Sequence, residues 1–202
     1  MIIHELKRKL FHLLIIIFPV TYCLAGRWPS LLLFSSLGIF VVSFDYFRHK
    51  NQFINNFFCK FFGSILREYE FSGKRLCGVS FVFIAACLNF LLFKTEIAVT
   101  AFFILAISDA TAALVGKIFC SWPFFEKSFF GSLAFFVSGI FILVTCGIIF
   151  HVDSWFYFFG IFTIACVTML EARPSLTKID DNFLIPIGFS TILAFFDILW
   201  HY

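Results

Sequence analysis

The sequence has few charged residues. Of its 202 residues only 13% are Asp, Glu, Lys or Arg, whereas 61% are hydrophobic. A soluble domain is about half apolar and about a quarter charged. This composition therefore excludes an ordinary soluble domain and indicates an integral membrane protein. The net charge of +3 is too small to indicate a nucleic-acid-binding surface, so no nucleic-acid partner is expected.

Two common site patterns are also missing. The seven cysteines form no CxxC pair and no Cys/His ligand pattern, and most lie in apolar runs, so we interpret them as small buried apolar residues. The nucleotide-binding pattern GxxxxGK(S/T) is absent as well. In TAALVGKI, residues 111–118, Thr111 stands in place of the first Gly and Ile118 in place of Ser or Thr. A nucleotide site in this chain is therefore not a P-loop.

What the sequence does contain is a series of apolar segments. A membrane-spanning helix needs roughly 17–25 mainly apolar residues. Seven segments are candidates, at about 10–25, 29–44, 77–93, 97–116, 129–150, 155–170 and 183–199. The sequence thus predicts an all-α polytopic membrane protein with about seven transmembrane helices, forming a single membrane-embedded domain over residues 1–202.

The positive charges predict how these helices are oriented. Loops rich in Lys and Arg remain in the cytoplasm. With the N-terminus in the cytoplasm, only Arg27 and Lys94 of the fifteen Lys and Arg residues fall in outer turns. The long polar loops all face inward in this arrangement. Chemistry performed by the protein is therefore expected at the cytoplasmic face.

The longest predicted cytoplasmic loop, residues 45–76, contains an amphipathic pattern. In NQFINNFFCKFFGSILREYE, residues 51–70, pairs of apolar residues recur every four positions with Asn and Lys between them. This spacing predicts a helix with a wide apolar face, which lies in the membrane interface or packs on the helix bundle. The sequence leaves these two alternatives open.

Asp109 is the most unusual residue of the apolar segments. It lies about two turns inside the fourth predicted span, where a carboxylate costs about 2.5–3.5 kcal/mol on insertion scales. Small neighbours such as Ala110, Ala112 and Gly116 permit close helix approach or leave space for a ligand. An ion pair or hydrogen bond between helices would also explain Asp109. We favour a functional role because other polar groups lie at the same membrane level.

These other polar groups combine cations with carboxylates. Cations and helix N-termini bind phosphates, carboxylates and Asn bind Mg²⁺, and a carboxylate accepts a proton from an attacking alcohol. Phosphoryl transfer requires this mixture because it depends on positioning and charge stabilisation. The groups are Arg8, Lys9, His12, Arg67, Glu70, Gly116, Lys117, Lys127, Ser128, Gly131, Ser132, Glu171, Asp180, Asp181 and Asn182.

Five motifs of the chain, taken together, resemble a known enzyme family. They are ELKRKLFH, LREYEFSG, SDATAALVGK, EKSFFGS and DDNFLIPI, and they extend in order from Glu5 to Ile187. Their order and spacing resemble the CTP-dependent lipid kinases. That family includes dolichol kinase, phytol kinase and the CTP-using diacylglycerol kinases, and its bacterial members are often labelled phosphatidate cytidylyltransferase-like.

The resemblance implies an enzyme that transfers the γ-phosphate of CTP to a lipid hydroxyl with Mg²⁺ or another divalent cation. The expected partners are a membrane lipid and a nucleotide, and no obligate protein partner is evident. Asp109 would bind the metal or orient the nucleotide, and Asp181 or Glu171 would bind metal or act as base. The motifs also match further residues that would hold phosphates or shape the nucleotide site: Arg8, Lys9, Gly116, Lys117, Lys127, Ser128, Gly131 and Asn182.

The chain departs from the family pattern close to this expected nucleotide site. Ser108 stands where many members have Gly, and IFCSWPF follows the Asp109 motif where many have an FGK-like run. Two alternative functions also stay open. One is a phosphatidate cytidylyltransferase that makes CDP-diacylglycerol. The other is a small non-enzymatic transporter, since buried carboxylates also serve ion pathways.

Overall fold

The protein is a bundle of helices. Its structure, a computed structural model, describes residues 2–62, 76–119, 122–177 and 179–201, so the LREYEFSG motif with Arg67 and Glu70 lies outside the described residues. The predicted fold class is confirmed, because the described chain is almost entirely helical. The helices are α1 Ile2–Leu13, α2 Ile17–Ala25, α3 Arg27–Lys50, α4 Gln52–Phe62, α5 Gly78–Leu92, α6 Thr95–Phe103, α7 Asp109–Ile118, α8 Phe129–Ile149, α9 Ser154–Glu171, α10 Pro174–Thr177 and α11 Asp181–His201.

Shorter elements connect some of these helices. A 3₁₀ turn over Leu14–Ile16 joins α1 to α2, and a π-helical turn over Ile104–Ser108 joins α6 to α7, so that each pair forms one long rod. Strands β1, Pro123–Phe124, and β2, Lys127–Ser128, form a small antiparallel hairpin before α8.

Each predicted span falls on an apolar helix or rod. Six of these in the described chain are long and apolar enough to cross a membrane: Arg8–Ala25, Arg27–Arg48, Thr95–Ile118, Phe129–Ile149, Ser154–Glu171 and Asp181–His201. The third predicted span, 77–93, coincides with α5, which is apolar but only 15 residues long. The architecture is therefore that of an integral membrane protein.

The turn between α2 and α3 is unusually tight. Gly26 alone separates the two helices, and its φ of 80° lies in the left-handed region. Glycine adopts that region without the steric cost that a Cβ atom imposes. This turn brings the rod of α1 and α2 alongside α3.

The rod of α6 and α7 lies at the centre of the bundle. Between Ile97 and Ala106 every side chain except Phe103 is buried. Phenylalanines surround the rod, and the Phe102 ring packs with its centroid 5.0 Å from that of Phe90. Because this rod includes Asp109, its packing in the core determines the position of the Asp109 carboxylate along the bundle axis.

Helix α4 packs on the bundle through one side. Its Phe58 ring lies 5.9 Å from the ring of Phe44 in α3 and 4.6 Å from the Arg48 guanidinium. Phe53 and Phe57, on another side of α4, are exposed. The amphipathic helix predicted for residues 51–70 is thus present over Gln52–Phe62, and it contacts the bundle.

A buried charged group ties the end of α3 to the start of α5. The Asp45 carboxylate accepts hydrogen bonds from Arg48 Nε at 2.6 Å, from the Cys77 backbone N–H at 2.7 Å and from Ser80 Oγ at 2.7 Å. Asp45 and Arg48 are both almost fully buried. Buried charges are tolerated when they are paired and hydrogen-bonded, so this group is a structural link between the two helices.

Candidate active site

The π-helical turn places Asp109 at the beginning of α7. Such turns are rare and occur frequently at functional sites. Here the Leu105 carbonyl lies 2.9 Å from His12 Nε2, which belongs to α1. Asp109 is 6% exposed, so its carboxylate lies inside the bundle as the sequence predicted.

Two side chains of α1 contact this carboxylate. Lys9 Nζ lies 2.5 Å from Asp109 Oδ2, and His12 Nε2 lies 3.1 Å from the same oxygen. With its proton on Nε2, His12 donates toward two acceptors, this oxygen and the Leu105 carbonyl. We call Lys9, His12 and Asp109 the first cluster.

A second cluster forms around Lys127 of β2. Its ammonium donates a hydrogen bond to Glu171 Oε1 and lies 3.6 Å from Asp181 Oδ2. Burial alone would lower the pKa of Lys127, but the carboxylates of Asp181 and Glu171 raise it above its ordinary value. Lys127 therefore remains a cation in this cluster, which consists of Lys127, Glu171 and Asp181.

The two clusters belong to one polar centre. The Asp109 carboxylate lies close enough to Lys127 to contribute to its raised pKa, in addition to the two carboxylates of the second cluster. Segments far apart in the sequence thus meet at one end of the bundle. We call this the site end, defined by Lys9, Asp109 and Lys127.

Helices α7 and α8 cross at three of the predicted residues: Gly116, Ser128 and Gly131. Ser128 Oγ caps α8 by accepting the Gly131 backbone N–H at 3.1 Å. A Cβ atom on Gly131 would lie 2.9 Å from the Ala112 carbonyl oxygen and 3.2 Å from Gly116 Cα. The two glycines therefore let the helices approach closely, and this holds α8 against the helix that carries Asp109.

Replacing Gly131 with Ala is expected to destabilise the protein by about 1–3 kcal/mol, since overpacking against backbone atoms cannot be relieved by a rotamer change. The measurement is the thermal unfolding midpoint in detergent. Gly188→Ala in α11 is the matched control, because a Cβ atom there meets no other atom within 4 Å. Equal midpoints for the two variants would contradict the proposed close crossing.

The other predicted residues occupy different surroundings. Asn182 is buried at the start of α11, and its backbone N–H bonds Asp180 Oδ1 at 3.0 Å. Arg8, which precedes Lys9 in the sequence, is half-buried, whereas Lys117 is exposed in the last turn of α7. The structure thus brings Lys9 to Asp109 and brings Lys127 to Glu171 and Asp181, while Lys117 lies at the surface.

The second cluster offers two carboxylates that a divalent cation could use together with other ligands. Glu171 is 2% exposed, and its Oε2 atom has no hydrogen-bond partner among the described residues. Asp181 approaches the same ammonium as Glu171. Within the described ranges, no group of three or more His, Cys, Asp and Glu residues is arranged to hold a metal. Mg²⁺ is commonly bound by one or two carboxylates together with substrate phosphates, so Glu171 and Asp181 fit it.

A cavity of about 450 Å³ opens beside the first cluster. Four polar residues line one part of it: Arg8, Lys9, His12 and Asn182. The remaining lining residues are apolar apart from Thr21, and they come from α1 to α5. Asp109 does not line the cavity, but it holds Lys9 and His12, which do.

Sequence reasoning gave His12 no role of its own. It placed His12 on the same helix face as Lys9, three residues away. The contact with Asp109 depends on the packing of α1 against α7, which no local pattern shows. The spacing of Lys9 and His12 was the only signal in the sequence that pointed to this residue.

These features define the class of protein: a polytopic helical membrane protein with a buried, charged site at one end of its bundle. The chain is 35% identical over 188 residues to an uncharacterized protein of Rickettsia prowazekii (strain Madrid E). This match covers 92% of the chain and 91% of the rickettsial protein. The chain therefore belongs to the same family as this rickettsial protein.

A second relative has a named activity. The chain is 26% identical over 152 residues to CTP-dependent diacylglycerol kinase 1 of Saccharomyces cerevisiae (strain ATCC 204508 / S288c). The match covers 71% of this chain but only 49% of the Saccharomyces protein, so the chain spans about half the length of that relative. The similarity supports a distant relationship to that kinase. No protein-family model and no solved structure matches the chain.

Proposed function

We propose that the protein is a membrane kinase that transfers the γ-phosphate of CTP to the hydroxyl of a lipid alcohol. The observation that carries this proposal is the cavity beside the first cluster. Its apolar walls suit a hydrocarbon chain, and its polar end contains Lys9 and His12, which the buried Asp109 carboxylate holds. The distant similarity to a CTP-dependent diacylglycerol kinase is compatible with this reaction.

In this proposal the lipid hydroxyl lies at the polar end of the cavity. Its oxygen attacks the γ-phosphorus, and the bond between that phosphorus and the β,γ-bridging oxygen breaks, which releases CDP. The proton of the hydroxyl passes to His12 Nδ1, and the Asp109 carboxylate beside Nε2 stabilises the imidazolium that forms. Asp109 also keeps the Lys9 ammonium directed toward the phosphate, where its charge is most useful in the transition state.

The second cluster would hold the nucleotide. Lys127 is the central cation, and the resemblance assigns Arg8 and Lys117 to phosphate binding as well. Glu171 and Asp181 would hold Mg²⁺, which would neutralise phosphate charge once bound. Ser128 and Gly131 position β2 against α8 and so fix the place of Lys127.

The same proposal includes the orientation of the protein. The Lys and Arg distribution supports an N-terminus and a site end at the cytoplasmic face, where CTP would be available. The lipid would enter the cavity sideways from the bilayer, because only its hydroxyl needs to reach the charged clusters. Accessibility of single introduced cysteines to a membrane-impermeant reagent tests this orientation.

The test of the reaction is an analysis of the nucleotide products. Purified protein in detergent receives CTP or ATP, Mg²⁺ and either a lipid alcohol or phosphatidate. A kinase releases CDP from CTP only with an alcohol present. Release of pyrophosphate with phosphatidate would instead establish a cytidylyltransferase. Absence of both products across the lipids would overturn the proposal and favour the transporter.

A further inference from the structure

The Lys127 ammonium lies between the two carboxylates that a divalent cation would use. It donates a hydrogen bond to Glu171 Oε1 and lies 3.6 Å from Asp181 Oδ2. The carboxylates come from different helices, since Glu171 ends α9 and Asp181 begins α11. A Mg²⁺ ion bound by both would lie about 2.0–2.1 Å from their oxygens and therefore needs the space that the ammonium fills. Two cations cannot share this position, because they exclude and repel each other.

The charges of the second cluster also favour an exchange of one cation for the other. Its two carboxylates carry two negative charges, whereas the Lys127 ammonium carries one positive charge. A divalent cation balances both carboxylates. The ammonium would then be available to a phosphate oxygen, with which it forms a charge-assisted hydrogen bond.

Lys127 is the movable member of the cluster. Its side chain is 30% exposed, whereas that of Glu171 is 3% exposed. Because Lys carries a compact charge on a flexible four-carbon stem, the ammonium can turn toward the accessible side while the carboxylate stays in place. Glu171 Oε2 is buried and has no hydrogen-bond partner among the described residues. A cation that replaces the ammonium could therefore use an oxygen that Lys127 leaves unbonded.

The backbone of the hairpin is held on both sides of Lys127. On one side, the Glu126 N–H bonds the Ala172 carbonyl oxygen at 3.1 Å. The Glu126 carboxylate accepts hydrogen bonds from the backbone N–H of Ser175, at 3.2 Å, and from its hydroxyl. On the other side, Ser128 caps α8. These contacts keep β2 close to the end of α9, so the ammonium stays within reach of the carboxylates.

The tip of the hairpin has one defined position as well. Phe125 has a φ of 54°, in the left-handed region that residues with a Cβ atom rarely adopt. Such a conformation persists where the surroundings determine it. Here the Arg173 guanidinium lies 3.5 Å from the centroid of the Phe125 ring, in a cation–π contact. An exchange at the carboxylates is therefore a movement of the Lys127 side chain and not of the hairpin.

We propose that the Lys127 ammonium is a placeholder in the metal site: it bridges Glu171 and Asp181 until a divalent cation binds them, and it then turns toward a phosphate oxygen of the nucleotide. While it bridges them, it offsets the repulsion between two neighbouring carboxylates. The second position of the ammonium rests on the proposed kinase function. The exchange itself is a binding claim that requires neither nucleotide nor lipid.

The test measures how tightly Mn²⁺, which accepts the same carboxylate ligands as Mg²⁺, binds the full-length protein in detergent. The electron paramagnetic resonance signal of free Mn²⁺ gives the affinity without nucleotide or lipid substrate. Lys127→Met should bind Mn²⁺ about tenfold more tightly than wild type, since it removes a positive charge beside the divalent cation. A purely structural lysine predicts the opposite, because the carboxylates would move apart without it. Equal or weaker binding by Lys127→Met would overturn the proposal.

Lys127→Arg tests the exchange in the other direction. It keeps the positive charge, and the planar guanidinium binds carboxylates through two parallel hydrogen bonds. A divalent cation should displace it less easily, so we expect Mn²⁺ binding about threefold weaker than in wild type. This variant decides the question even if Lys127→Met fails to fold. Tighter Mn²⁺ binding by Lys127→Arg would contradict the exchange.

The matched control for charge is Arg173→Met. It removes an exposed cation two residues after Glu171. Its Mn²⁺ affinity should change by at most about twofold, because water and salt screen an exposed charge. A gain as large as that of Lys127→Met would show a general effect of charge and overturn the exchange.

Two further variants locate the metal. Glu171→Gln and Asp181→Asn should each weaken Mn²⁺ binding strongly, because each removes a carboxylate ligand. If both variants bound Mn²⁺ as wild type does, or if no variant bound it, the proposed exchange would be wrong.

The outcomes separate this inference from the proposed function. Tighter Mn²⁺ binding by Lys127→Met, in a protein that transfers no phosphate, would support the exchange and overturn the kinase. Phosphate transfer by wild type, together with weaker Mn²⁺ binding by Lys127→Met, would leave the kinase intact and overturn the exchange.

Discussion

The variant Asp109→Asn is expected to transfer phosphate about 10²–10⁴-fold more slowly than wild type, the range that a positioned acid–base group contributes. The side chain keeps its size but loses the charge that holds Lys9 and His12. Both side chains line the cavity, so their loss of position affects the reacting hydroxyl. The measurement is the initial rate with γ-labelled CTP and a saturating lipid alcohol.

A folding defect is separated from a catalytic defect by a second variant. Asp109→Asn leaves the Lys9 ammonium buried without its partner, which destabilises a protein by about 3–5 kcal/mol. Combining it with Lys9→Met removes both charges and should restore most of the lost stability, but not the activity. Ser108→Ala, a neighbouring buried position whose hydroxyl has no hydrogen-bond partner among the described residues, should behave as wild type. An Asp109→Asn protein that keeps half of its activity would contradict the proposed role.

Loss of the Lys127 cation is expected to have the second largest effect. Lys127→Met should lower the rate by about 10²–10³-fold, the effect of removing one group that stabilises transition-state charge. It also leaves Glu171 and Asp181 close together without the ammonium between them. Lys127→Arg should restore part of the rate because it restores the positive charge.

The control for Lys127→Met is Lys60→Met, which removes a cation from the exposed side of α4. Its rate should equal that of wild type. If both variants lost activity equally, a general effect of protein charge would explain the loss, and the specific role of Lys127 would be contradicted.

The charge of Lys127 also predicts a dependence on pH. Its pKa is raised in the folded protein by Asp181 and Glu171 against the opposing effect of burial. The stabilisation is therefore fully present below the ordinary lysine pKa of about 10.4 and is lost only as pH rises through the higher folded value. The difference in unfolding midpoint between wild type and Lys127→Met should stay constant between about pH 7 and 10. A difference that disappears near neutral pH would contradict this.

The helices were predictable because hydrophobicity in a membrane is a local property of the sequence. Each apolar segment coincides with an apolar helix or rod, and the Gly26 turn follows from the short GRWP sequence. Lengths were less predictable. α5 has 15 residues and begins directly after Cys77, whose backbone N–H donates a hydrogen bond to Asp45, 32 positions away in the sequence.

The site was predictable in its residue types but not in its pairing. Asp109 stood out as a carboxylate inside an apolar segment, and Lys127 belonged to one of the five motifs. Which cation accompanies which carboxylate depends on how α1 packs on α7 and how the hairpin packs on α9, and sequence spacing does not contain that information. The sequence therefore predicted Lys9, Glu171 and Asp181 as one group, whereas the structure divides them between two neighbouring clusters.

The most direct test of the central claim follows the phosphate itself. Wild-type protein in lipid nanodiscs is incubated with Mg²⁺, a long-chain alcohol and CTP labelled with different isotopes at the α- and γ-phosphates, and the lipid is then extracted. The account predicts that only the γ-label enters the lipid fraction, and that Asp109→Asn prevents this transfer. Appearance of the α-label in the lipid fraction would contradict the claim that the protein is a lipid kinase. So would the absence of both labels from the lipid fraction when the protein is fully folded.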